Sequence, residues 1–265
     1  MYSKLFQWCY LLCSISILYG CNYQKVSAKE SISENNVKNG LNVDADNVSK
    51  NKKSLKQTEF KWHKAHNGLI VGYKVLLPKN YNPEIEYPAL FAFPPKDGGI
   101  ESANWAINEL WGEEVHQTGW IVIVPVAPKE GWLNHPAHHA MNDLLKLIQS
   151  KYKIKGKFHM FGISEGAEPA SIYSNASKQF FQSLTTIGNH SWVNWYERYL
   201  AQLKIPITLI IGAEDAKGQE MSNNTLKVFK KHNVDAVLKV FENQKRPVSS
   251  MHHSKVIQLI EERVF

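Results

Sequence analysis

Apolar residues arrive along this chain in short dense runs, separated by longer stretches in which they return every three or four positions. Residues 89–93 (ALFAF), 119–125 (GWIVIVP), 158–163 (FHMFGI), 182–188, 207–211 (ITLII) and 236–241 are the runs. They are too short for helices, rich in β-branched and aromatic residues, and bounded by Gly, Pro, Asn or Asp, which reads as strands buried on both faces. The intervening segments 103–117, 140–152, 195–203, 221–232 and 254–264 have helical spacing. In the second of these Leu144, Leu145, Leu147 and Ile148 form a wide apolar face. A further helix is expected after Gly166, where Ala167, Ala170 and Ile172 are small or apolar. Two more strands, 60–63 and 69–77, precede the first buried run. Strands alternating with helices predict an α/β fold, with a mostly parallel central sheet and helices on both faces. In such a sheet, sites form outside the carboxyl ends of the strands.

The pattern breaks down before residue 59. Residues 1–20 carry Lys4 and then an apolar run over 9–19, the length of a signal-peptide core and short for a membrane span. The run ends Leu18-Tyr19-Gly20-Cys21, which resembles a bacterial lipobox with Tyr19 where a smaller residue is usual. That resemblance implies cleavage before Cys21, acylation of its sulfur, and an exported lipoprotein on the periplasmic or cell-surface side of a membrane. Acyl chains stabilise such an anchor by about 0.8 kcal/mol per buried CH₂. Residues 21–58 are rich in Asn, Ser and Lys and poor in aromatics, as in a flexible tether that cannot bury enough apolar surface to fold. The globular domain is then 59–265. The only cysteines are Cys9, Cys13 and Cys21, so the domain has no disulfide, thiolate metal site or catalytic thiol. The formal net charge of +7 comes with no arginine-rich or aromatic-interleaved motif. It reads as a solvated lysine-rich surface, and nucleic acid is set aside as a partner.

The candidate chemistry lies at strand ends. Gly162-Ile163-Ser164-Glu165-Gly166 follows an apolar strand and precedes a helix, a corner that pushes a serine hydroxyl above the sheet. Glycines on either side let strand and helix approach where Cβ atoms would collide. Asp215 follows the 207–211 strand, with Glu214 as its neighbour and rival, and His252 and His253 precede the last helix. A hydroxyl needs a base to attack at neutral pH, and the base needs an acid to orient it. A turn can aim only one of two adjacent histidines. His252 is preferred, with His253 as the alternative, because Ser254 then reads as the N-cap of the helix.

The order Ser164, Asp215, histidine, together with residues 73–81 and 158–166, resembles the α/β-hydrolase superfamily, most of all its secreted esterase and polyhydroxyalkanoate-depolymerase-like branch. The resemblance implies a serine esterase working through an acyl-enzyme with a Ser-His-Asp triad. It needs no cofactor and no metal, and its substrate is a small-molecule or polymeric ester. It implies an oxyanion hole from the backbone N–H of Glu165 and one from the 94–99 loop, in register Lys96. Pro94-Pro95 stands where a His-Gly pair is common, and proline has no N–H. A serine peptidase on the same fold, or a surface binding protein that kept the fold and lost activity, are the alternatives. His135-Pro136-Ala137-His138-His139 suggests a metal site at first sight but is expected to be a polar loop leading into a helix. His190 is expected on a surface loop. Of the five tryptophans Trp105, Trp111, Trp132, Trp192 and Trp195, Trp132 and Trp192 lie just past strand ends, where they are expected either to line a pocket or to pack the core.

Overall fold

The buried runs pair with one another as parallel neighbours. The computed structural model describes residues 60–112, 115–188, 193–242 and 253–264. The leader, Cys21, the tether, His190, Trp192 and His252 lie outside the described residues. The strands are β1 (Lys61–Lys64), β2 (Ile70–Leu76), β3 (Ala89–Phe93), β4 (Ile121–Val126), β5 (Phe158–Ile163), β6 (Phe181–Ile187), β7 (Ile207–Gly212) and β8 (Ala236–Phe241). They form one sheet in the order β1-β2-β4-β3-β5-β6-β7-β8. β3 to β8 are parallel to their neighbours, and β1 and β2 form an antiparallel edge through the β2–β4 pairing.

Side chains alternate across this sheet with the period of two that strands impose. Phe91, Phe93, Phe158 and Met160 point to one face, where they meet Leu144, Leu145 and Ile148 of α3 (His135–Lys151), Tyr173 of α4 (Ala167–Ala176) and Phe229 of α6 (Ala216–Lys231). Leu90, Ala92, Phe161 and Ile163 point to the other. There they meet Ala103 of α1 (Ile100–Trp105), Val115 of α2 (Val115–Thr118), and Val256, Ile257 and Ile260 of α7 (His253–Val264). The remaining helix, α5 (Val193–Leu200), delivers Leu200 to the first face. Two apolar layers enclosing one sheet give the mostly parallel α/β architecture expected from the strand runs.

Several helix ends differ from the spacing-based expectation, and each difference has a local cause. The 103–117 helix is interrupted: α1 runs on as a π-helical turn, Ala106–Trp111, closed by Gly112 N–H on the Ile107 carbonyl at 2.7 Å. Gly112 then turns with φ +42°. α3 starts at His135 rather than 140, because Asn134 Oδ1 accepts from Ala137 N–H at 2.8 Å and Pro136 sits in the first turn. The histidine run is therefore helical instead of a loop. His138 meets Ser177 Oγ at 3.0 Å, and His135 and His139 pair through their Nε2 atoms at 3.2 Å. Burial and its two neighbouring histidines lower the His138 pKa. No group of three metal-ligating side chains occurs among the described residues. Asp215 caps α6 at 216 rather than 221, and α7 begins at His253, one residue ahead of the expected Ser254 cap.

Candidate active site

Connections leave β3 and β5 in opposite directions. β3 leads to β4 on one side, while β5 leads through α4 to β6 on the other. Because β3 and β5 are adjacent, their carboxyl ends flank the crevice where an open α/β sheet binds ligands. Ser164 follows β5 and Pro94 follows β3, so the two segments singled out in the sequence face each other there.

Ser164 holds φ +53°, a left-handed conformation that costs a non-glycine residue of order 1–3 kcal/mol. The strain persists because the corner is locked on both sides. A Cβ at Gly162 would come 2.7 Å from Ala170 Cβ and 2.8 Å from Ala167 Cα, so the strand and α4 touch backbone to backbone. One at Gly166 would come 2.7 Å from the Phe93 carbonyl oxygen, so the turn is also pressed against the end of β3. Ser164 is half-buried and lines a cavity of about 800 Å³, whose walls include Lys96, Ile100, Glu101, Trp105, Ile163 and Glu165.

The loop after β3 is built by Asp97. Its Oδ1 accepts from Gly99 N–H at 2.9 Å and from Ser102 Oγ at 3.0 Å, and these bonds, the Gly99 N–H first, lower its pKa. Gly98 donates to the Pro95 carbonyl and accepts from Ala127 N–H. Lys96 holds φ +56°, and its N–H donates to the Glu165 side chain, Oε2, at 3.0 Å. Both expected oxyanion donors thus belong to residues bonded to each other across the crevice.

Asp215 ends the turn after β7. Its Oδ1 accepts from Gly218 N–H at 2.8 Å, the N-cap bond of α6. Gly218 is needed there: a Cβ would lie 2.6 Å from Asp215 Cγ and 2.8 Å from Ile211 Cδ1. Gln219 Nε2 ties the same turn to the Ala213 carbonyl at 2.7 Å. Asp215 is half-buried, whereas its rival Glu214 is exposed.

The direction of α7 decides where His253 arrives. Trp120, at the start of β4, donates from Nε1 to Glu261 at 2.9 Å, and Arg263 reaches Asp235, just before β8, at 2.6 Å. The helix C-terminus is therefore pinned at the amino ends of the strands. At its other end Lys255 Nζ lies 4.5 Å from the ring centre of Phe241, the last residue of β8. α7 runs antiparallel to the strands, and its first residue, His253, emerges at the edge that holds Ser164 and Asp215.

Trp132 does not line the Ser164 cavity. It is buried against Phe93, with ring centres 4.8 Å apart, under Gly98, where φ is +71° and a Cβ would strike the indole. It borders a separate cavity of about 300 Å³ with Tyr173 and His138. Trp105 is the tryptophan that opens onto Ser164, one of the five noted in the sequence but not singled out. Neither Asp97 nor the Glu165 side chain was expected in a role. The Asp97-x-Gly99 spacing is a legible signal for the first, since Asp bonds its own backbone two residues on.

The chain has the α/β-hydrolase fold. A solved ferulic acid esterase superposes with TM-score 0.62 at 14% identity, over 78% of this chain and 96% of its own. The S-formylglutathione hydrolase from Agrobacterium tumefaciens gives 0.59 at 15%, over 78% and 95%. The AtxE2 isopeptidase gives 0.53 at 12% identity over 78% of this chain. The chain spans 39% of that isopeptidase and 35% of a dipeptidyl aminopeptidase IV-like protein from Bacteroides ovatus that it also resembles. No family model matches the sequence, and no curated protein matches it.

Proposed function

We propose that the protein is a serine hydrolase that cleaves carboxylic esters. The observation that carries this reading is Ser164, held at φ +53° on the strand-to-helix corner and opening onto the cavity at the sheet's switch point. A strained serine packed in by two glycines has no structural use that a relaxed turn would not serve better. Similarity in fold to a ferulic acid esterase and to an S-formylglutathione hydrolase supports the same reading.

In this mechanism the histidine from the 252–253 pair removes the Ser164 proton as Oγ attacks the ester carbonyl carbon. The resulting oxyanion is met by backbone N–H groups of Glu165 and Lys96. Collapse of the tetrahedral intermediate breaks the C–O bond, and the imidazolium returns the proton to the leaving alcohol. Water then attacks the acyl-enzyme by the same route, releasing the acid and restoring Ser164. Asp215 orients the imidazole and stabilises its charged form. Its cap bond to Gly218 and the Gln219 tie hold the turn rigid for that purpose. Trp105, Ile100 and Ile163 give the substrate an apolar wall.

A fluorophosphonate probe tests the reading, with Ser164→Ala alongside: labelling of the wild type that persists in the variant, or no labelling at all, sinks it. A panel of esters and peptidyl amides then separates esterase from peptidase. We further propose that the enzyme is exported and lipid-anchored through Cys21. Cys21→Ser should move it from the membrane fraction to the soluble one, and an unchanged distribution refutes the anchor.

A further inference from the structure

The Glu165 carboxylate sits on the hydrogen-bond donor that the proposed mechanism needs for the oxyanion. Its Oε2 accepts from Lys96 N–H at 3.0 Å. Pro94 and Pro95 have no N–H, so Lys96 is the first residue after β3 that can donate. A donor shared between a carboxylate and a developing oxyanion serves neither fully. The negative charge of the carboxylate also opposes the charge that forms on the carbonyl oxygen.

The contact is not needed to shape the loop. Asp97 holds Gly99 and Ser102, Gly98 bonds both Pro95 and Ala127, and Gly166 packs on the Phe93 and Pro94 carbonyls. The side chain of Glu165 is exposed and borders the cavity of about 800 Å³, so it has room to leave.

We propose that the Glu165 side chain is a built-in competitor for the oxyanion, a latch that holds the second donor until a bound substrate displaces it. The proposal rests on the hydrolase reading above. Displacement draws on substrate binding energy, so the latch penalises small esters that fill little of the cavity more than large ones that crowd the carboxylate out. Glu165 is then a specificity-determining residue for substrate size, acting at the step where the oxyanion forms.

Glu165→Gln and Glu165→Ala in the full chain test this. Glutamine keeps the size and, through its amide oxygen, an acceptor for Lys96 N–H, but removes the negative charge, whereas alanine removes both. Both variants should react faster with the fluorophosphonate and turn over a p-nitrophenyl acetate faster, by about 10-fold, below the 10²- to 10³-fold that a whole oxyanion donor is worth. The gain should fall on kcat rather than KM and shrink for a long-chain p-nitrophenyl ester. Equal or slower rates in both variants would overturn the latch and make the carboxylate a support for the Lys96 loop. If neither wild type nor variants show Ser164-dependent reaction, the hydrolase reading fails and the latch goes with it.

Discussion

His159 and Ser164 lie on one strand and the turn that follows it, and they show opposite ways of placing a polar side chain in this fold. His159 is fully buried in mid-sheet beside Trp120, with ring centres 4.8 Å apart, and both ring nitrogens are engaged. Gln182 Nε2 donates to its Nε2 at 2.8 Å, so the ring proton is on Nδ1 and donates to Ser183 Oγ at 2.7 Å. Burial lowers its pKa to about 4, and the ring stays neutral. Ser164 stands on strained backbone at the edge of a cavity. The first arrangement is closed and relaxed, and satisfying both nitrogens is what makes the burial tolerable. The second is open and strained, which costs stability and leaves the residue at a cavity wall.

Substitutions can break that contrast, and the largest effect is expected at Ser164. Ser164→Ala should lower turnover by up to about 10⁶-fold while leaving the melting temperature at or slightly above wild type. A variant that retained turnover would place the chemistry elsewhere. Asp215→Asn keeps an acceptor for Gly218 N–H but no longer stabilises an imidazolium, so turnover should drop about 10⁴-fold with little loss of stability. A drop in melting temperature as large as that of a core variant would recast Asp215 as a helix cap only. His159→Ala should do the reverse, costing about 2–4 kcal/mol in a denaturant titration through a cavity and two orphaned polar partners, with the activity of the folded fraction preserved.

The pH dependence of the wild type probes the same buried ring without a substitution. The unfolded chain binds a proton at His159 near the ordinary histidine value of about 6.5, and the folded chain only near 4. Stability from this group is fully present above pH ~6.5 and is lost as pH falls toward ~4, by on the order of 3 kcal/mol. His159→Leu should flatten that part of the curve in melting temperatures taken at successive pH values. An unaltered slope would assign the acid sensitivity to other groups, such as Asp97, whose lowered pKa contributes at still lower pH.

The sheet and the Ser164 corner were legible because each carries its own local signal. The run 121–126 is apolar at every position and 207–211 at every position but Thr208, as expected of strands covered on both faces, and Gly162 and Gly166 mark a close approach whatever surrounds them. The starts of α3 and α6 were less legible, since Asn134 and Asp215 set them through caps, ahead of any apolar spacing. Trp105 and Trp132 look alike in sequence. Which one faces the cavity is decided by the tight fit of Trp132 under Gly98. The reach of Glu165 to Lys96 joins residues on separate loops and leaves no periodic trace.

One consequence follows from the way α7 is moored. Its far end is fastened by the Trp120–Glu261 and Arg263–Asp235 bonds at the base of the sheet, while its first residue, His253, emerges at the edge that holds Ser164. The start of α7 is thus placed by an anchorage a full helix length away. Under the proposed mechanism, local melting of this last helix would displace the histidine pair while the sheet stays folded, so heat inactivation should run ahead of global unfolding.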